Sequence, residues 1–211
     1  MAEPCDLWHR EILTTAQGHA LTASRAVLVE ATGAFLAGGT ALALRYGHRR
    51  SRDLDWFSAT AFDHLAVAEQ LGRLPGTLVT QAEPGAIHAE CSGIALSLIH
   101  YRYPAGPPDL CDGIPLADLR TAGGMKLLAI INRGYQRDFI DVAEILSHGV
   151  SLPDLIAWAM ADIPGLTLES ALRALAWRDD AEAQPHPEGI DATGWRNAKR
   201  ELDQAIADLV R

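Results

Sequence analysis

Lysine is nearly absent from this chain: of 18 basic residues only Lys126 and Lys199 are lysine, and the rest are arginine. An ammonium point charge and a planar guanidinium are not interchangeable at a compact anionic site, so these two positions invite attention. Cysteine is scarce as well. Cys5, Cys91 and Cys111 lie far apart with no C-x-x-C pair, which argues against a zinc knuckle or a disulfide framework and makes a reducing cytoplasm the expected compartment. No apolar run approaches the ~18–20 residues that span a bilayer. The N-terminal MAEPCDLWHREIL has no basic segment leading into an apolar one, so no membrane partner and no secretory signal are expected. Net positive charge is also missing. At −9 the chain lacks a broadly basic surface for nucleic acid, although Arg45, Arg49, Arg50 and Arg52 form a local cluster.

What remains is an ordinary globular composition, 48% apolar and 21% charged over 211 residues, enough for a core that needs no covalent staples. Apolar spacing predicts helices over 6–17 and 20–32. A short apolar strand, 35–37, runs into Gly38-Gly39. A helix follows over 40–46, with Thr40 as its N-cap and Gly47 as its stop. Then come a strand over 53–57 and a helix over 63–74. Residues 77–103 read as a meander of β-type runs broken at Pro84-Gly85 and Ser92-Gly93. The segment 103–108, YPAGPP, is the strongest linker signal. Beyond it helices are expected at 117–132, 136–147, 153–162, 168–178 and 193–210, with 179–193 an exposed loop. The fold class is therefore α+β: a mixed sheet flanked by helices over 1–103, then a helical domain over 104–211 that completes an active-site cleft.

Two constellations carry chemistry. In GGTALALRYGHRRSRDLDWF, residues 38–57, a glycine pair is followed after thirteen residues by two aspartates flanking one leucine. Bare glycine backbone allows a triphosphate to approach closely. Asp53 and Asp55 alternate across Leu54, so on a strand both carboxylates face one way, the arrangement a hard divalent cation needs. Each half alone is common at turns and strand edges. Two like charges on a half-buried strand nevertheless call for a cation or basic groups. The second constellation is MKLLAIINRGYQRDFIDVAEIL, residues 125–146. Lys126 and Arg133 share a helix face, and Asp138 and Asp141 lie three apart on the next helix. A helical hairpin would gather them with Arg137 into a salt-bridge cluster or an anion site.

Together these residues resemble the AbiEii/AbiGii toxin family of nucleotidyltransferases, a branch of the polymerase-β-like superfamily. The resemblance rests on Gly38-Gly39-Thr40-Ala41-Leu42, on His48-Arg49-x-Ser51-x-Asp53-Leu54-Asp55 with an aromatic behind, and on Lys126 with Arg133-Gly134 and Arg137-Asp138-Phe139-x-Asp141. It spans about 30–147 and leaves the C-terminal part without a motif. It implies transfer of a nucleotide from an NTP to an acceptor, RNA (tRNA) or protein, dependent on Mg²⁺ or Mn²⁺. It further implies a toxin held in check by a separate antitoxin. By that likeness Asp53 and Asp55 hold the metal, and Gly38, Gly39, Thr40, Arg49 and Ser51 form the phosphate-contacting segment. Lys126 binds the triphosphate, and Asp141 orients Lys126 or assists the acceptor.

One departure stands out. Many polymerase-β-like enzymes carry a third acid on a neighbouring strand, and IALSLIHYRY, 94–103, has none. Glu90 is a substitute one strand earlier, and Ser97 or His100 occupies the expected place. A general base is not identified, with His48 beside the motif as the candidate. A catalytically inactive nucleotide-binding or protein-interaction module of the same fold is the alternative. The five tryptophans read as core, and Asp109 and Asp112 around Cys111 as a solvated loop.

Overall fold

The computed structural model describes residues 8–209. The chain divides into two compact units, one ending at Asp118 and the other beginning at Leu119.

The first unit is a seven-stranded mixed sheet. After a 3₁₀ turn at Arg10–Ile12 comes helix α1, Thr15–Thr32. The expected pair of helices, 6–17 and 20–32, is thus a turn and one uninterrupted helix; residues 6 and 7, like Cys5, lie outside the described residues. The Thr14 hydroxyl accepts from the Gln17 amide while the Gln17 side chain returns to the Thr14 backbone, and this capping box fixes the start. Strand β1 is Phe35–Ala37, helix α2 Gly38–Tyr46, β2 Leu54–Ser58, α3 His64–Gly72, β3 Thr77–Glu83, β4 Ala86–Cys91 and β5 Ile94–His100. Two short strands follow, β6 Asp109–Cys111 and β7 Ile114–Leu116. The order is β3-β4-β5-β2-β1-β7-β6. β2 runs parallel to β5 and antiparallel to β1, and β1 runs parallel to β7.

Alternation along the strands separates the two faces. Leu54, Trp56, Leu96, Leu98, Ile87 and Ala89 are buried with Leu21 and Leu28 of α1 and Val67 and Leu71 of α3. Asp55, with Ala37, Ser97 and His88 beside it in register, points to the other face.

Residues 109–116 depart from the sequence reading, which gave everything after 103 to the helical half. β6 and β7 complete the sheet instead, Ala117 N–H donating to the Leu36 carbonyl. Arg45 of α2 bonds Asp109, so this aspartate is an anchor, and Asp112 pairs with Arg10.

The second unit is helical: α4 Leu119–Arg133, α5 Gln136–Ser147, α6 Leu152–Asp162, α7 Leu168–Ala176, the short α8 Asp179–Glu182 and α9 Ala192–Leu209. α5 packs against α9, with the Phe139 and Trp195 rings 6.3 Å apart. The stretch read as an exposed loop is partly tied down. Ala181 is buried, its carbonyl accepts from Gln136 Nε2, and Glu182 bonds Trp195 Nε1 and Lys199.

Candidate active site

The glycine pair opens α2. The helix begins at Gly38 with Ala37 at the N-cap position, so Thr40 is not the cap. Its hydroxyl donates instead to the Asp53 carbonyl, tying the first turn of the helix to the segment that enters β2. Thr40 is buried, which leaves its backbone N–H, an orphan donor of the first helical turn, as its means of meeting a ligand.

Both glycines are required by what lies against them. Gly38 has φ +65°, and a β-carbon there would stand 2.8 Å from Asp55 Oδ2. At Gly39 a β-carbon would stand 2.5 Å from Arg49 Nη2 and 2.9 Å from Ser51 Oγ. The structure therefore brings Gly38, Gly39, Arg49, Ser51 and Asp55 together around the N-terminus of α2, whose free amides and dipole favour anions. Arg49 is buried, and its Nη1 donates to the Arg50 carbonyl at 2.9 Å. Ser51 is held from below: its carbonyl accepts from Gln17 Nε2 of α1 at 2.6 Å.

Asp53 is exposed and immediately precedes β2, while Asp55 is half-buried on the strand. The residue opposite Asp55 on β5 is Ser97, buried, whose hydroxyl donates to Asp55 Oδ1 at 2.9 Å. A hydroxyl thus stands where a third strand carboxylate could have reached the same cation. Glu90 does not replace it. It lies on β4, beyond β5 and opposite Ala95, about 10 Å from β2 by strand spacing. His100 pairs with Ser58, further along. Among the described residues no three His, Cys, Asp or Glu side chains group as metal ligands. The donors that remain, the Asp55 carboxylate against the glycine turn and the exposed Asp53 carboxylate two residues before it, are hard oxygens and fit a Mg²⁺ or Mn²⁺ ion that takes its other ligands from water or phosphate.

In the second unit the helical hairpin α4–α5 forms as its spacing implied. Lys126 Nζ lies 3.0 Å from Asp138 Oδ1 and 2.7 Å from Asp141 Oδ2, and both aspartates are fully buried. Arg133 Nε bonds Asp138 Oδ2 at 2.9 Å. Two cations balance two anions, which satisfies the requirement that buried charges be paired. An ammonium has three protons, and these carboxylates engage two of them. Arg137 is exposed, with its guanidinium 5.3 Å over the Tyr135 ring.

A family model described as nucleotidyl transferase AbiEii toxin, type IV TA system, matches residues 20–109. This segment is AbiEii-like. It holds the glycine turn, both aspartates and Ser97, and it ends before Lys126, so the α4–α5 cluster lies outside it. An uncharacterized protein of Aquifex aeolicus (strain VF5), aq_aa25, is 29% identical over 181 residues, covering 80% of this chain and 88% of that protein. Among solved structures, a candidate nucleotidyltransferase of H. pylori superposes with TM-score 0.57 at 16% identity, covering 94% of this chain and 98% of its own. The nucleotidyltransferase toxin MenT4 of Mycobacterium tuberculosis H37Rv gives 0.54 at 19%, covering 90% and 91%. The antibiotic-resistance factor ANT(2'')-Ia gives 0.51 at 14%, covering 71% and 92%. At these identities the structures establish the nucleotidyltransferase fold, an α+β sheet flanked by helices. No helix among the described residues is long and apolar enough to cross a membrane.

Two features escaped the sequence reading. The arginine cluster divides: Arg45 turns to Asp109 and the Trp8 ring, whereas Arg49 lies against Gly39. Only the fold distinguishes them. The tryptophans also diverge, Trp56 and Trp195 being buried and Trp177 63% exposed.

Proposed function

We propose that this protein is a metal-dependent nucleotidyltransferase that moves an NMP from an NTP to an acceptor, RNA (tRNA) or protein, as the toxin of a toxin–antitoxin system in the cytoplasm. The reading is carried by the packing of Asp55 Oδ2 and Arg49 against Gly38 and Gly39 at the start of α2, inside the AbiEii-like segment. The N-terminal amides of α2 and the Arg49 guanidinium receive the triphosphate. Asp53 and Asp55 hold Mg²⁺ or Mn²⁺, which when bound offsets the charge on the phosphates and on the leaving group. An acceptor hydroxyl oxygen then forms a bond to the α-phosphorus as its proton passes to water, the bond from the α-phosphorus to the bridging oxygen breaks, and pyrophosphate departs. By the family likeness Lys126 and Asp141 belong to the same reading, Lys126 as a phosphate-binding cation whose ammonium Asp141 holds at 2.7 Å. The toxin role rests on the description of the matching family and implies a separate antitoxin.

The test is an NTP-by-NTP assay with α-phosphate-labelled nucleotides, total tRNA and cell lysate as acceptors, and Mg²⁺. Label is expected in one macromolecular fraction with one preferred NTP, and none with Asp53→Asn or Asp55→Asn. An inactive module of the same fold would bind NTP and transfer nothing.

A further inference from the structure

The parallel register of β2 and β5 sets Ser97 beside Asp55, and its buried hydroxyl spends its single proton on Asp55 Oδ1. That bond fixes the plane of the carboxylate. Oδ2 is left on the side of Gly38, where a β-carbon would stand 2.8 Å away. Among the described residues no third acid groups with this pair, and Glu90, on the same face, is on β4 with β5 between. The pair of acids therefore carries a charge of two, and a hard cation seeking about six oxygens finds few from the chain. We propose that Ser97 is the positioning residue of the metal site, a hydroxyl in place of a third carboxylate that aims Asp55 and makes cation binding conditional on the nucleotide. The triphosphate supplies the missing oxygens and negative charge, so cation and NTP enter together. This rests on the proposed transferase reading and adds an order of assembly to it.

The full-length protein is titrated with Mn²⁺, first alone and then with each NTP at saturating concentration, protein-bound Mn²⁺ being separated from free Mn²⁺ and Mn²⁺–NTP by ultrafiltration and quantified by electron paramagnetic resonance. Wild type is expected to bind Mn²⁺ weakly alone and at least about ten-fold more tightly with the preferred NTP. Ser97→Asp, which restores a carboxylate opposite Asp55, is expected to bind Mn²⁺ alone at least about ten-fold more tightly than wild type. The gain should vanish in Ser97→Asp/Asp55→Asn. Ser97→Asn, neutral and of similar size, should give no gain. Ser97→Ala should keep the fold by circular dichroism and weaken NTP-dependent Mn²⁺ binding, with Ser97→Thr restoring it; these two decide the matter if Ser97→Asp does not fold. Wild type binding Mn²⁺ alone as tightly as Ser97→Asp, or Ser97→Ala matching wild type with NTP, overturns the role of Ser97 and leaves the transferase reading standing. Failure of every variant to bind Mn²⁺ with any NTP overturns both.

Discussion

Gly38 adopts a left-handed backbone and lies under the Asp55 carboxylate, so two independent constraints meet at one residue. Gly38→Ala is expected to lower stability by about 1–2 kcal/mol through backbone strain. It should reduce transfer further, by about 10²-fold, because the added carbon displaces Asp55. Comparing urea midpoints with initial rates separates the two effects, and equal rates in both proteins would contradict the geometry. Asp55→Asn keeps the shape and removes the charge, so its stability should stay near wild type while transfer falls by about 10²–10³-fold. The glycine pair, Asp53 and Asp55 were legible in the sequence because their spacing is local. The contacts of Thr40, Arg49 and Ser97 were not, because each depends on which strand or loop lies alongside, and a one-residue slip of β5 would have turned Ser97 away from Asp55.

Among the elements, the α4–α5 hairpin is the most exposed to single substitutions. Lys126→Met takes the ammonium away from Asp138 and Asp141, both fully buried, while Arg133 still bonds Asp138. A loss of about 3–5 kcal/mol is expected in chemical denaturation. An unchanged midpoint would mean that Lys126 contributes nothing to the fold. The short helix α8 supplies a pH-dependent contact. The Lys199 ammonium, then the Trp195 indole N–H, hold the Glu182 carboxyl below its usual value of 4.5. Because the folded value is the lower one, this contact stabilises above pH 4.5 and is lost as pH falls through the folded value. Glu182 is largely solvent-exposed, so the contribution is under about 1 kcal/mol. The thermal advantage of wild type over Glu182→Gln should shrink on acidification from about pH 6 to about pH 3, and growth would contradict the assignment. Helices and the β3–β5 meander were readable because 3.6- and two-residue periods and Gly-containing turns mark them locally. β6 and β7 were not: three residues each, one containing Pro115, they are too short to show a period and exist only through pairing with β1. α8 likewise has four residues and is held by contacts from α5 and α9.

For the molecule as a whole, an acidic chain of charge −9 must use local rather than global attraction to hold nucleotides. The start of α2 with Arg49 offers that locality in the first unit. The second unit carries a charge-balanced cluster and the exposed Trp177. The central claim is that the glycine turn and Asp53/Asp55 form a working transfer site, and pyrophosphate release tests it most directly. Wild type with Mg²⁺, the preferred NTP and acceptor should release one pyrophosphate for each NMP attached. Asp55→Asn, with the same circular dichroism and urea midpoint, should release at least about 10²-fold less. Equal release from the two proteins, or none from wild type with any NTP and acceptor, would contradict the account.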